Sequence, residues 1–268
     1  MPRRFSLICL AVLLAIALSW PSAAVAGPVM TRILEKGTLV VGTSGSQPPM
    51  SATSKKGELM GFDIDLARAM AEGLGVKAEF VTMPFTELLQ ALEAGKVDVV
   101  LSGMTITPAR NRNVAFVGPY YISGKGLLAR LERYAALKSA EGLNAPGVTV
   151  TALKDSTSQQ FAETLMPQAK LVPTASYDEA IDLILSGKAD VLVADFPFCA
   201  LTAYRNQDKK LAAGEAPLTY EPLGIGMMED ALLMNWTANF LNVLQGTGAL
   251  KKMHEKWLNG GSWIDELP

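Results

Sequence analysis

Gly95-Lys-Val-Asp-Val-Val-Leu-Ser102 and Gly187-Lys-Ala-Asp-Val-Leu-Val-Ala194 echo one another at an offset of 92 residues, and that echo sets the expected fold. Each copy follows an amphipathic helical pattern, Leu88, Leu89 and Leu92 in the first and Ile181, Ile184 and Leu185 in the second. A glycine then stops the helix and a short apolar strand follows. A helix feeding a buried strand is the α/β unit, so two copies predict two similar α/β lobes. Open α/β sheets hold ligands beyond the carboxyl ends of their strands. There the copies diverge, into Ser102-Gly-Met-Thr-Ile-Thr-Pro-Ala-Arg110 and Ala194-Asp195. One end offers a cation and the other an anion, which suits a small zwitterion held between lobes.

Working outward, strands are expected at Leu39–Gly42 and Lys77–Val81, with helices from Gly61 to about Glu72 and from Phe85 to Ala94. Asp63 or Asp65 is expected to cap the first of these helices, because a carboxylate satisfies free N–H groups and the helix dipole. Gly118-Pro-Tyr-Tyr-Ile-Ser-Gly124 reads as a crossing to the second lobe, and Glu221–Gly224 as the crossing back. Two crossings make a hinge. The expected division is lobe 1 at residues 27–121 and 222–268, and lobe 2 at residues 122–221, with residues 1–26 as a leader.

That leader carries Arg3 and Arg4, an apolar run from Phe5 to Leu18 and Ala24-Val-Ala26, the pattern of a cleaved secretory signal. Its apolar run falls short of the roughly 20 residues that span a bilayer. Cleavage would leave 242 residues and move the formal net charge from -2 to -4. With no basic stripe, no nucleic-acid partner is expected. Cys199 alone would remain of the two cysteines, so no internal disulfide is expected, only an inert buried thiol. His254 is the sole histidine and stands among Lys251, Lys252 and Lys256 on an expected solvated helix. Neither a metal site, nor a cofactor, nor a Ser/His/Asp constellation is therefore expected.

The chemistry points to Arg110 first. A guanidinium presents a planar fork that matches a carboxylate in two places at once. Ser102, Gly103 and Thr105 lead up to it, and Pro108 suits the first turn of a helix carrying it. Asp195 ends an apolar strand and needs a partner, since a lone buried carboxylate is costly. A ligand ammonium would complete it, and a structural salt bridge is the plain alternative. Ser156, Thr157 and Ser158 precede a helix, where hydroxyls and free N–H groups suit an anion, though one of the three is expected simply to cap. Phe85, after Met83-Pro84, could wall a ligand.

Taken together, Gly61-Phe-Asp-Ile-Asp-Leu66, Leu88 to Asp98, Ser102 to Arg110, Gly118-Pro-Tyr-Tyr121, Leu153-Lys-Asp-Ser-Thr157, Ala189 to Asp195 and Glu221-Pro-Leu-Gly-Ile225 resemble the family 3 extracellular solute-binding proteins. These are the periplasmic receptors of polar amino-acid ABC importers. The resemblance runs from about Leu39 to Trp257. It implies the two-lobed periplasmic-binding-protein fold of type II, joined by a two-strand hinge. It also implies a periplasmic location, a monomer, and a membrane permease as partner. By that resemblance Arg110 would grip an α-carboxylate, helped by Thr105 and Thr157. Asp195 and the Gly103 carbonyl would take an α-ammonium, and Phe85 would pack on the side chain.

Two positions depart from the family pattern. Relatives that bind cationic or amide side chains commonly have an acid where this chain has Ser44 and an aromatic where it has Gln47. Lysine, arginine and ornithine are therefore disfavoured, and a neutral polar or small amino acid comes first, a dicarboxylic one second. Lys154 and Asp155 could address a polar side chain. A competing class is an enzyme, since dehydratases acting on prephenate or arogenate resemble the same scaffold. Such a lyase needs an acid to protonate a leaving hydroxyl, for which Asp155 is the unusual candidate. A ligand-sensing partner of a receptor is the third reading.

Overall fold

The computed structural model describes residues 27–137 and 139–268. The expected leader, with Arg3, Arg4 and Cys9, lies outside the described residues. Helix α1 (Pro28–Lys36) ends at left-handed Gly37 and feeds strand β1 (Thr38–Thr43). A small antiparallel sheet of β2 (Ser46–Gln47), β3 (Ser51–Thr53) and β4 (Leu59–Met60) precedes helix α2 (Phe62–Leu74). Then come β5 (Lys77–Thr82), a 3-10 turn at Phe85–Glu87 running into α3 (Leu88–Glu93), β6 (Val99–Val100) and the long β7 (Ala115–Ser123).

The second half opens with β8 (Lys125–Arg130) and two short helices, α4 (Leu131–Tyr134) and α5 (Ala140–Leu143). It continues through β9 (Thr149–Leu153), α6 (Thr157–Leu165), β10 (Lys170–Thr174), α7 (Tyr177–Leu185), β11 (Val191–Asp195), α8 (Phe196–Arg205) and β12 (Leu211–Ala213). The chain returns through β13 (Glu221–Met227), α9 (Ala231–Gly246) and α10 (Ala249–His254).

Two five-stranded sheets result, ordered β5-β1-β6-β13-β7 and β10-β9-β11-β8-β12. In each, three parallel strands are followed by an antiparallel one, β13 against β6 and β8 against β11. The repeated sequence thus supplies the middle strand of both sheets. Every residue of β11 is buried, so it reads as an unbroken apolar run rather than an alternating one. The two lobes keep separate cores, one around Phe62, Leu66, Val99 and Ile225, the other around Leu128, Leu192 and Phe198. Passage between sheets occurs at Gly124 and between residues 213 and 221. A Cβ on Gly124 would stand 2.3 Å from the Thr219 carbonyl, so the outgoing and returning segments touch at the crossing.

Several local expectations need correction. Neither Asp63 nor Asp65 caps α2, because the Pro49 and Met50 carbonyls already accept the N–H groups of Phe62 and Asp63 at 2.9 and 2.8 Å. Both carboxylates turn to other donors: Asp65 takes Lys256 Nζ at 2.6 Å and Trp257 Nε1 at 2.8 Å. His254 is not a freely solvated surface residue. Its ring stacks on Phe62 at 4.9 Å, its Nε2 lies 3.3 Å from the Tyr120 carbonyl, and burial lowers its pKa from the ordinary 6.5.

Candidate functional site

Between the carboxyl ends of β6 and β11 the two sheets enclose about 230 Å³ of space. The first lobe walls it with Gln47, Phe85, Gly103, Thr105 and Arg110, the second with Lys125, Ser156, Thr157, Ser158, Tyr177 and Asp195. A larger groove of about 1010 Å³ runs beside Trp257 and Tyr204, but its lining is aromatic and aliphatic with a single amide side chain, Asn259. Of these two spaces, the smaller is the one lined by charged side chains.

Arg110 stands in a single 3-10 turn, Arg110–Arg112, not in the longer helix that Pro108 suggested. The buried Val114 draws the chain directly into β7 and leaves no room for another turn. Its guanidinium donates to the Thr105 carbonyl at 2.8 Å and to the Asp155 carbonyl at 3.4 Å, and lies 5.7 Å from the centre of the Phe85 ring. Among the described residues no carboxylate comes within ion-pair distance of it. Loss of solvent lowers its pKa, opposed by the fields of Asp195 and Glu221. This is a half-buried cation with no counter-ion of its own.

Asp195 is the opposite case. Residue 125 is its register partner on β8, and Lys125 Nζ sits 2.7 Å from Oδ1. Gln47 Nε2 reaches across the cleft to Oδ2 at 2.8 Å. On its far side Lys125 lies 3.4 Å from Glu221 Oε2. Only 1% of Lys125 is exposed, an unusual state for lysine, tolerable only with partners on hand. Lys125 was not anticipated from the sequence. It precedes an apolar run that reads as a strand from Leu127 to Arg130, and nothing in that run announces which strand lies opposite.

The hydroxyls divide between two tasks. Ser156 caps α6, accepting from Gln159 N at 3.2 Å and donating to the Leu153 carbonyl at 2.6 Å. Thr157 Oγ1 faces Thr105 Oγ1 across the cleft at 3.4 Å. Ser44 and Ser102, both expected at the ligand, do not wall the cavity. They satisfy each other, with Ser44 N donating to Ser102 Oγ at 2.9 Å and the two hydroxyls 3.1 Å apart. Lys154 and Asp155 are exposed, and Asp155 contributes only its backbone carbonyl.

Two further groups were not expected at the site. Tyr177 walls the cavity while stacking on Phe198 at 4.1 Å; burial and the field of Asp195 push its pKa well above 10, so it is a neutral hydroxyl donor. Asp63 is fully buried and accepts the Gly103 N–H at 2.6 Å, fixing the loop after β6. Gly103 has φ +59, and a Cβ there would meet Gln47 Oε1 at 2.9 Å, so the loop closes only on glycine. Burial pushes the Asp63 carboxyl up to about 7, against the lowering effect of the Tyr120 hydroxyl and the Gly103 N–H.

Comparison with known proteins places this geometry. Residues 39–260 match the model of the bacterial extracellular solute-binding proteins, family 3. A cyclohexadienyl dehydratase of Pseudomonas aeruginosa is 26% identical over 263 residues, covering 96% of each chain. An ABC transporter glutamine-binding protein of Bacillus subtilis is 31% identical over 207 residues, 75% of this chain and 74% of that one. The crystal structure of an ancestral amino acid-binding protein, a precursor of cyclohexadienyl dehydratase, superposes with a TM-score of 0.81 at 39% identity, covering 85% of this chain and 99% of that one. With a family model spanning most of its length and the two sheets meeting over a charged cleft, the chain belongs to the bacterial extracellular solute-binding proteins, family 3.

Proposed function

We propose that this chain captures an amino acid, or a carboxylate of similar size, between two closing lobes and presents the closed form to the permease of an ABC importer. The observation that carries the reading is the Arg110 guanidinium, held over the cavity by backbone carbonyls and lacking any carboxylate of its own. A ligand carboxylate would supply the missing charge in a fork-to-fork pair, with Thr105 and Thr157 hydroxyls at its flank and Phe85 beneath the guanidinium. Gly103, Ser156 and Ser158 complete the wall. Four or five charge-assisted bonds of about 1.5–3 kcal/mol each can exceed the ordering cost and reach roughly the 8 kcal/mol of a micromolar complex. Gln47 already bonds Asp195, and Ser44 already bonds Ser102. Neither offers a charge to a lysine, arginine or ornithine side chain. Export to the periplasm and action as a monomer belong to the same proposal.

The test is a thermal-shift and calorimetric screen of amino acids and small carboxylates against the wild type and Arg110→Ala. A ligand that binds only the folded state raises the melting temperature. The variant is expected to lose that response with its circular dichroism unchanged, and wild-type affinity in the variant would sink the reading.

A lyase is the second reading, favoured by the 96% mutual coverage with the dehydratase relative. Asp155, the acid expected for that chemistry, is exposed and does not wall the cavity. That leaves Asp195, already bonded through both oxygens. Binding without turnover is therefore our reading, and incubation with prephenate or arogenate should yield no aromatic product.

A further inference from the structure

The pocket's anion is already matched. An α-ammonium needs a carboxylate whose charge is not already matched, yet the Lys125 ammonium is 2.7 Å from Asp195 Oδ1 and Gln47 Nε2 donates to Oδ2 at 2.8 Å. The lysine is fixed there by its strand: residues 125 and 195 are register partners, and Glu221 holds the ammonium from the far side at 3.4 Å. Glu221 itself belongs to a different groove, beside Tyr220 and Pro222. The charged groups on the cavity wall are Arg110, Lys125 and Asp195, with Glu221 behind Lys125, so the four balance and no carboxylate is left over for a ligand ammonium. A ligand ammonium entering this space would meet a buried ammonium of like charge at the one carboxylate it could use. A ligand carrying a carbonyl, hydroxyl or second carboxylate would instead meet donors, namely Lys125, Tyr177 and the hydroxyls of Ser158 and Thr157.

We infer that Lys125 stands in for the ligand's ammonium, and that the site selects a small carboxylate lacking one: a 2-oxo, 2-hydroxy or dicarboxylic acid. This rests on the reading of Arg110 as the carboxylate anchor. It makes Lys125 the residue that sets ligand class, and Arg110 the residue that sets whether a carboxylate binds at all.

Calorimetry on the purified protein, freed of carried-over ligand by unfolding and refolding, tests both with matched pairs: alanine against pyruvate and lactate, glutamate against 2-oxoglutarate and glutarate, aspartate against succinate. At least one acid without the amino group should bind ten or more times tighter than its amino partner. The reverse order in every pair that binds overturns the inference and leaves the carboxylate reading standing. Binding by no member of any pair overturns both. Lys125→Met, which keeps the length and removes the charge, should lose the preferred acid at least tenfold and gain its amino counterpart, because Asp195 is then free to accept an ammonium. Should that variant fail to fold, the wild-type pairs decide the matter alone, and native mass spectrometry of the protein as first purified gives the mass of any ligand it retains.

Discussion

The strands β6 and β11 come from one repeated sequence and hold the same place in their sheets, yet the charges beyond their ends are in opposite states. Past β6, Arg110 is a cation held by two carbonyl oxygens and the Phe85 ring, with no carboxylate among the described residues in ion-pair reach. Past β11, Asp195 is an anion with a partner on each oxygen. The architecture duplicated while the electrostatics did not. One end is left without a counter-ion, and the other is matched by the fold's own lysine.

Removing each cation in turn should break the comparison most sharply. Lys125→Ala leaves a buried carboxylate without its counter-ion and should cost about 3–5 kcal/mol of stability by chemical denaturation. Arg110→Ala removes a charge that has no counter-ion, and should change stability by less than about 1 kcal/mol. Equal costs for the two would remove the distinction.

Asp63 sharpens it further, since it holds the loop beyond β6. Its folded pKa of about 7 lies above the ordinary 3.8. Between about pH 4 and pH 7 the folded protein therefore binds a proton that the unfolded chain has released. In that window this group makes stability fall as pH rises, by about 1.4 kcal/mol per unit at the steepest. Below the window its effect is absent, and above it the loss is complete. Asp63→Asn keeps an acceptor for the Gly103 N–H and should flatten this component in denaturation curves recorded from pH 4 to 8.

Smaller effects follow on binding. Arg110→Lys retains the charge but not the fork, and should weaken the carboxylate ligand by roughly 2 kcal/mol, about thirtyfold, in calorimetry. Thr157→Val deletes one hydroxyl facing Thr105 across the cleft, and should cost about 1 kcal/mol of affinity with no change in ligand class.

Sequence patterns made much of the site legible because its residues follow strand ends, and strand ends are marked by apolar runs that stop. Arg110, Asp195, Phe85 and the Ser156–Ser158 segment are legible that way, and all six residues wall the cavity. What stayed hidden depends on which strand lies beside which. Lys125 is intelligible only once β8 is known to run antiparallel to β11, and no local pattern reports that. Tyr177 opens helix α7, but its direction comes from packing on Phe198. Asp63 matched a capping rule that the Pro49 and Met50 carbonyls had already made unnecessary. Ser44 and Ser102 had the right polarity near the right strand end, and found each other first.

The place of β13 has a consequence for the order in which the polypeptide can organise itself. It lies between β6 and β7, so the earlier sheet has a gap in its interior until residues 221–227 arrive. The later sheet draws all its strands from residues 125–213 and has no such dependence. Because long-range closure is slow and exposes unpaired edges meanwhile, the half that emerges second from the ribosome is the one that can finish first, and a truncation before Glu221 should yield one ordered half rather than none.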